Sequence, residues 1–257
     1  MAQAIFGAGL MWATPLQEFD GTPIANPTPI MIGTLQEVSL DMGVELKELF
    51  GSDSQYAKFV AGGKAKISGK AKMGTVKGEI FSSLFFGQAA TDGLTSVKYD
   101  TVGTVIPTTP FEVTVTPPVS GDFVADLGVI DKATLKQFKR VASAPATGEY
   151  AVSALGVYTF ASADAGDTVL INYSYNNGVV VGAKQSTMIA VPMGYSPTFS
   201  VDLYLPYNGK SMIFTLHKCI SGKLSFGTKL DDFTMPEFEF QAFSDDIGRV
   251  ATWSTSE

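Results

Sequence analysis

Hydrophobic and polar residues alternate most regularly between residues 34 and 73. Val38, Leu40, Met42, Val44 and Leu46 share one face of a strand, and Glu37, Ser39, Asp41, Gly43, Glu45 and Lys47 share the other. A period of two belongs to a half-buried strand. In a second run, Ala65, Ile67, Gly69, Ala71 and Met73 alternate with Lys64, Lys66, Ser68, Lys70 and Lys72. Between the runs lies a polar stretch, Phe50-Gly51-Ser52-Asp53-Ser54-Gln55, followed by Tyr56. The pattern predicts a long antiparallel hairpin with an extended tip loop. If paired residue numbers total about 109, Glu37 faces Lys72 and Glu45 faces Lys64, cross-strand pairs worth about 0.2–1 kcal/mol each. Just after the hairpin, Ile80, Phe81, Leu84 and Phe85 fall on one face of a short α-helix that can plug the apolar face of a sheet.

The remaining pattern is also that of strands. Residues 1–32 are rich in Ala, Gly, Thr and Pro, and read as an arm with one strand near Thr28 to Gly33. Short alternating runs with close turn signals fill residues 104–176 and predict an inserted, outward-facing β module. Residues 1–103 and 177–257 then form the main β domain. Its closing part predicts a strand over Ser186 to Met193 and another over Thr198 to Pro206, with Phe199, Val201, Leu203 and Leu205 inward. Asn208-Gly209 marks a hairpin turn into Met212–Ile220. Ser221-Gly222 reads as a second turn, and Phe238 and Phe240 alternate with Glu237, Glu239 and Gln241. The fold class is mainly β, with meander, barrel and sandwich all compatible.

Composition narrows the function. Only 17% of the 257 residues are charged and 45% are hydrophobic. Such a surface suits a protein that hides much of itself in an assembly, because interfaces are depleted in charge. The net charge of −7 argues against a tight grip on nucleic acid, which needs a basic face. Lys64, Lys66, Lys70 and Lys72 face an acidic strand and read as neutralised by it. A single cysteine, Cys219, excludes an internal disulfide and suits a reducing cytoplasm. The first residues lack the basic start and long apolar core of a signal peptide. No run reaches the roughly 20 apolar residues of a membrane helix.

Candidate chemistry is thin. His217 and Cys219 lie two apart on one predicted strand face, roughly 7 Å along the strand, with no third group to orient them as a nucleophilic pair. Asp231-Asp232 and Asp245-Asp246 read as capped turns, since neither supplies the ligand set of a metal loop. The glycine pairs match no phosphate-binding spacing. The sequence therefore predicts no enzyme, no cofactor and no metal.

The long Gly- and Lys-bearing hairpin, the short Phe-rich helix and the β-structure that follows resemble the tail tube (major tail) proteins of long-tailed bacteriophages. The stretch from Phe238 to Val250 is similar to the way many such proteins close. Gly148 to Ser153 and Val157 to Gly166 resemble phrases common in phage virion proteins. The resemblance implies a tail-tube-type β-barrel or sandwich protomer that closes into hexameric rings, stacked as a hollow tube. Hairpin strands from each protomer would join one inner barrel. The implied partners are further copies of the chain, the tape measure, terminator and tip proteins, and DNA only in transit. The implied location is the virion tail, after synthesis in the host bacterial cytoplasm, with no membrane involved. Phe50, Gly51, Ser52, Asp53, Ser54, Gln55 and Tyr56, the amino-terminal arm and the tail from Asp245 would touch neighbouring protomers. Asp41, Glu45, Asp202, Glu237 and Glu239 would line the lumen as a negative wall that repels DNA. The competing reading is a surface- or carbohydrate-binding β module of a phage tail tip or decoration protein, which requires exposed aromatic platforms.

Overall fold

The computed structural model describes residues 6–53, 55–75, 77–88, 90–177 and 183–256. The chain is mainly β, 52% strand and 6% helical. The strands pair antiparallel except for Lys139–Arg140 beside Glu149–Val152. Among the described residues no sheet closes into a barrel. The barrel expectation is corrected on this point: the main sheet ends in two strands that do not meet.

Two compact units make up the chain, Met1–Ala90 with Ser186–Glu257, and Thr91–Gln185. The inserted unit is thus longer at both ends than the 104–176 expected. Short edge strands explain the difference, because Thr95–Lys98 pairs with Tyr173 to Asn176, and Thr91–Asp92 pairs with Lys184–Gln185.

The first unit is built on an eight-stranded sheet. Seven strands run in the order Ile30–Ile32, Leu10–Gln17, Thr198–Tyr207, Lys210–Ser225, Glu237–Ala242, Ala57–Met73 and Leu35–Phe50. The eighth, Ala251–Thr255, pairs with the first part of Lys210–Ser225, end to end with Glu237–Ala242. The sheet has two contrasting faces. Pro15, Phe199, Cys219, Ala242, Ile67 and Met42 lie side by side across six strands, and the adjacent row is Gln17, Thr198, Ile220, Gln241, Ser68 and Asp41. On the apolar face Met11, Ile32, Phe199, Val201, Leu216, Phe238 and Phe240 are buried together with Ile80 and Leu84. Each large side chain so buried contributes roughly 1.5–3 kcal/mol.

The predicted helix is present, but Ile80–Phe85 is wound as a π-helix and not as an α-helix. The Phe86 N–H donates to the Phe81 carbonyl at 3.1 Å, an i to i+5 bond. Ser82 supplies a local reason. Its buried hydroxyl donates to the Gly78 carbonyl at 3.3 Å, taking the acceptor that an α ladder would give to its own N–H.

Three other expectations are corrected. Residues 10–17 are a core strand and no arm, because Met11, Ala13 and Pro15 alternate into the interior. Ser221-Gly222 is no turn: Lys210–Ser225 runs through it, and the register merely shifts between Ser221 and Lys223. Residues 186–193 form no strand. With its amide oxygen and nitrogen exchanged, the orientation that satisfies both atoms, the Gln88 side chain donates to the Thr187 carbonyl and accepts from the Ile189 N–H, and Pro192 offers no donor.

The second unit has its own core. One sheet orders Lys139–Arg140, Glu149–Val152, Val157–Phe160 and Glu112–Thr114. In the other, Thr168–Asn176 is flanked by Asp122–Asp131 on one side and by Thr95–Lys98 and Thr104–Val105 on the other. Val129, Tyr150, Tyr158, Phe160, Val169, Ile171 and Tyr173 fill its interior.

Candidate assembly surface

The long hairpin dominates the surface of the first unit. Leu35–Phe50 and Ala57–Met73 pair along most of their length, yet only residues 67–72 of the second strand pair onward, with Glu237–Ala242. The base of the hairpin is therefore part of the sheet, and the remainder is a two-stranded ribbon. A ribbon of two strands is marginal by itself in water. This one also exposes apolar side chains on both faces. Leu46 and Val60 belong to one face and Leu49 and Phe59 to the other by the register, and Leu46 is 64% and Phe59 66% exposed. Along the outer side of Leu35–Phe50 no strand pairs among the described residues. That edge presents a row of free backbone donors and acceptors, a template for another strand.

The tip is exposed as well. Phe50 ends its strand half-buried at most, Gly51 is partly covered, and Ser52, Asp53, Gln55 and Tyr56 are exposed; Ser54 lies outside the described residues.

Cross-strand pairing at the base follows the predicted register. Glu37 lies opposite Lys72, their side chains 2.6 Å apart. The Glu45–Lys64 pairing is corrected. The register shifts between Val44 and Leu46, so that Glu45 faces both Gly63 and Lys64, and its carboxylate meets Lys47 at 3.6 Å. Glycine allows the bulge: a Cβ on Gly63 would sit 3.1 Å from the Glu45 carbonyl oxygen.

All five proposed wall residues share the polar face, but they are not an acid wall. Lys70 lies 2.9 Å from Glu237 and 3.9 Å from Glu239, Lys72 lies 3.8 Å from Glu237, and Lys223 lies 3.9 Å from Glu239. The Lys70 hydrogen bond holds the Glu237 carboxyl below its ordinary range, and Glu237 in turn raises the Lys70 ammonium. Asp202 accepts from the Thr215 hydroxyl at 2.6 Å. Glu37, Asp41, Glu45, Asp202, Glu237 and Glu239 are matched in number by Lys47, Lys64, Lys66, Lys70, Lys72 and Lys223. Lys64 and Lys66 make no ion pair among the described residues.

The carboxy-terminal stretch folds back on its own unit. Asp245 accepts from the Ile247 and Arg249 N–H groups at 3.1 and 2.7 Å and from Arg249 Nε at 2.9 Å. This closes a tight loop, after which Ala251–Thr255 pairs with Met212 to Leu216. Asp246 meets Lys218, and Asp232 meets Lys229. Among the described residues no three metal-ligating side chains cluster. His217 and Cys219 do not share a face as expected, because a register shift lies beside them. The His217 ring meets the Thr252 hydroxyl at 2.8 Å. Cys219 is in the core, where burial pushes its thiol up to about 12.

One polar cluster escaped the sequence reading. In the second unit the Asp126 carboxylate, 4% exposed, accepts from the Tyr150 and Tyr158 hydroxyls at 2.6 and 3.0 Å and from the Gly128 N–H at 3.0 Å, with Arg140 at 3.8 Å. Burial, then Asp126, raises both phenols. Nothing in a single Asp between apolar residues distinguishes it. The cluster pins one sheet to the other.

Among the described residues, no helix is long and apolar enough to cross a membrane. No protein-family model matches the chain, and no curated protein matches it either.

Proposed function

We propose that the chain is a structural, non-enzymatic tube subunit of the kind that forms the tails of long-tailed bacteriophages. The observation that carries this reading is the hairpin beyond its base: a two-stranded ribbon, apolar on both faces, with its long outer edge unpaired among the described residues. Such a ribbon gains backbone partners and buries its apolar residues against other chains, and identical chains in a ring supply both. A heterologous contact that closes by rotation makes the ring, and a second contact along the axis stacks rings. The hairpins of neighbouring protomers complete the barrel that one chain leaves open. The tip from Phe50 to Tyr56 reaches an adjacent protomer, and the polar face of the sheet lines the lumen through which DNA passes. Tape measure, terminator and tip proteins are the further partners, and the virion tail is the location.

The surface-binding alternative requires aromatic platforms. In the second unit Tyr150, Tyr158, Phe160, Tyr173 and Tyr175 are spent on the core, and Tyr99 is exposed; in the first unit Tyr195, Phe226, Phe233 and Trp253 are exposed as well, and these are the aromatics that the alternative would use. Negative-stain electron microscopy of the purified protein at low and high concentration tests the proposal. Hollow rings or tubes are the expected result. Uniform single particles at every concentration would count against it.

A further inference from the structure

We propose that the polar face of the main sheet is an electrically alternating wall, past which double-stranded DNA moves without being held. This rests on the tube reading above and specifies how the lumen treats its cargo.

The argument comes from the order of charges along the strands. Successive rows of the face are roughly 7 Å apart. The first row sets Lys72 between Glu37 and Glu237. The second sets Glu239 between Lys70 and Lys223. The third holds Asp41 with the neutral Ser68 and Gln241, and the fourth holds Lys66 opposite Gly43. Over these four rows the excess charge therefore changes sign from each to the next.

Two physical consequences follow. Rows of opposite sign lie closer together than the screening length of about 8 Å at physiological salt, so their fields cancel a short distance above the sheet. A grip on phosphate depends on releasing condensed counterions to free cations. Lys70 and Lys72 are already within 2.9 and 2.6 Å of carboxylates, and a phosphate must compete with those oxygens. A uniformly acidic wall would also let DNA pass, but by long-range repulsion. The observed face has no charge excess to supply it.

The test uses two arms. In assembled tubes of Gln241→Cys, a small maleimide should label the new thiol, while a maleimide carried on a bulky protein should not. The buried Cys219 stays silent in both. Tubes labelled by both reagents place the face outside and overturn this inference while leaving the tube reading intact; absence of tubes removes both. In the second arm, unassembled subunits are titrated with a short DNA duplex between 50 and 200 mM salt. Wild type should show no salt-dependent binding. Ser39→Lys with Gln241→Lys, which breaks no ion pair, should bind the duplex and lose about tenfold in affinity across that range, as two new phosphate contacts require. Steeply salt-dependent binding by the wild type, or no gain in the variant, would overturn the proposal.

Discussion

The base and the outer part of the hairpin are the same two strands with the same alternation, yet they live in different surroundings. At the base, Val38, Leu40 and Ala71 pack against Phe238 and Phe240, which are 0% and 2% exposed. Further out, Met42, Val44 and Leu46 continue the same face into solvent. Alternation states which residues a strand offers for burial. It does not state what will cover them, and here the covering strand stops at Ala242 while the hairpin continues.

The sharpest way to break this comparison is to truncate an aromatic at each place. Phe240→Ala should cost about 3–5 kcal/mol in denaturant unfolding, through lost transfer energy and the cavity left behind. Phe59→Ala on the ribbon should change monomer stability by no more than about 0.5 kcal/mol, while reducing rings and tubes in electron micrographs. Similar losses of stability at both sites would erase the distinction.

A buried carboxylate gives the next largest effect. Asp126→Ala leaves two tyrosine hydroxyls without their acceptor and should cost about 2 kcal/mol, read as a lower denaturation midpoint. Tyr158→Phe, which removes one bond of the cluster, should cost about 1 kcal/mol.

Glycines sharpen the contrast without removing a side chain. A Cβ on Gly69 would lie 2.2 Å from Cζ of Phe240, whereas one on Gly43 would meet nothing within 4 Å. Gly69→Ala should therefore destabilise by about 1–3 kcal/mol. Gly43→Ala should be neutral or stabilise by up to about 1 kcal/mol, by restricting the unfolded chain. Thermal melts of the two variants compare them directly.

The smallest effect is electrostatic. Glu237 is held below its ordinary 4.5 by the hydrogen bond from Lys70. A depressed carboxylate contributes stability above its unfolded value, and that contribution disappears as pH falls through the folded one. Glu237→Gln should flatten the decline in stability below pH 4.5 and, because Glu237 also raises the Lys70 ammonium, the decline above pH 10.5 as well. An identical acid limb in both proteins would show that this pair adds nothing.

How far the sequence carried depended on what each signal reports. The hairpin, the helix plugging the apolar face and the strand after Pro197 were legible because each shows its period without interruption. The turn at Asn208-Gly209 was legible because both residues take the positive φ, 49° and 76°, that the dipeptide favours. Leu10–Gln17 was missed because Pro15 and small residues weaken its strand signal. Pro15 is tolerated where the register shifts before Gln17. The Ser221-Gly222 pair looked like a turn and proved a bulge, since Gly serves either purpose. Gly62-Gly63 carried the signal of the shift at Glu45, but a pattern of two-residue periods gives it no weight.

The sequence by itself determined most of the strands and the two faces of the hairpin, because these follow from residue type and local period. Only the tertiary structure decided that the acids of the polar face are interleaved with lysines from other strands, that the inserted unit starts at Thr91, and that the hairpin outruns its cover. Each of these depends on which strands become neighbours and in what register, and pairing across distant segments is set by the packing of the whole core.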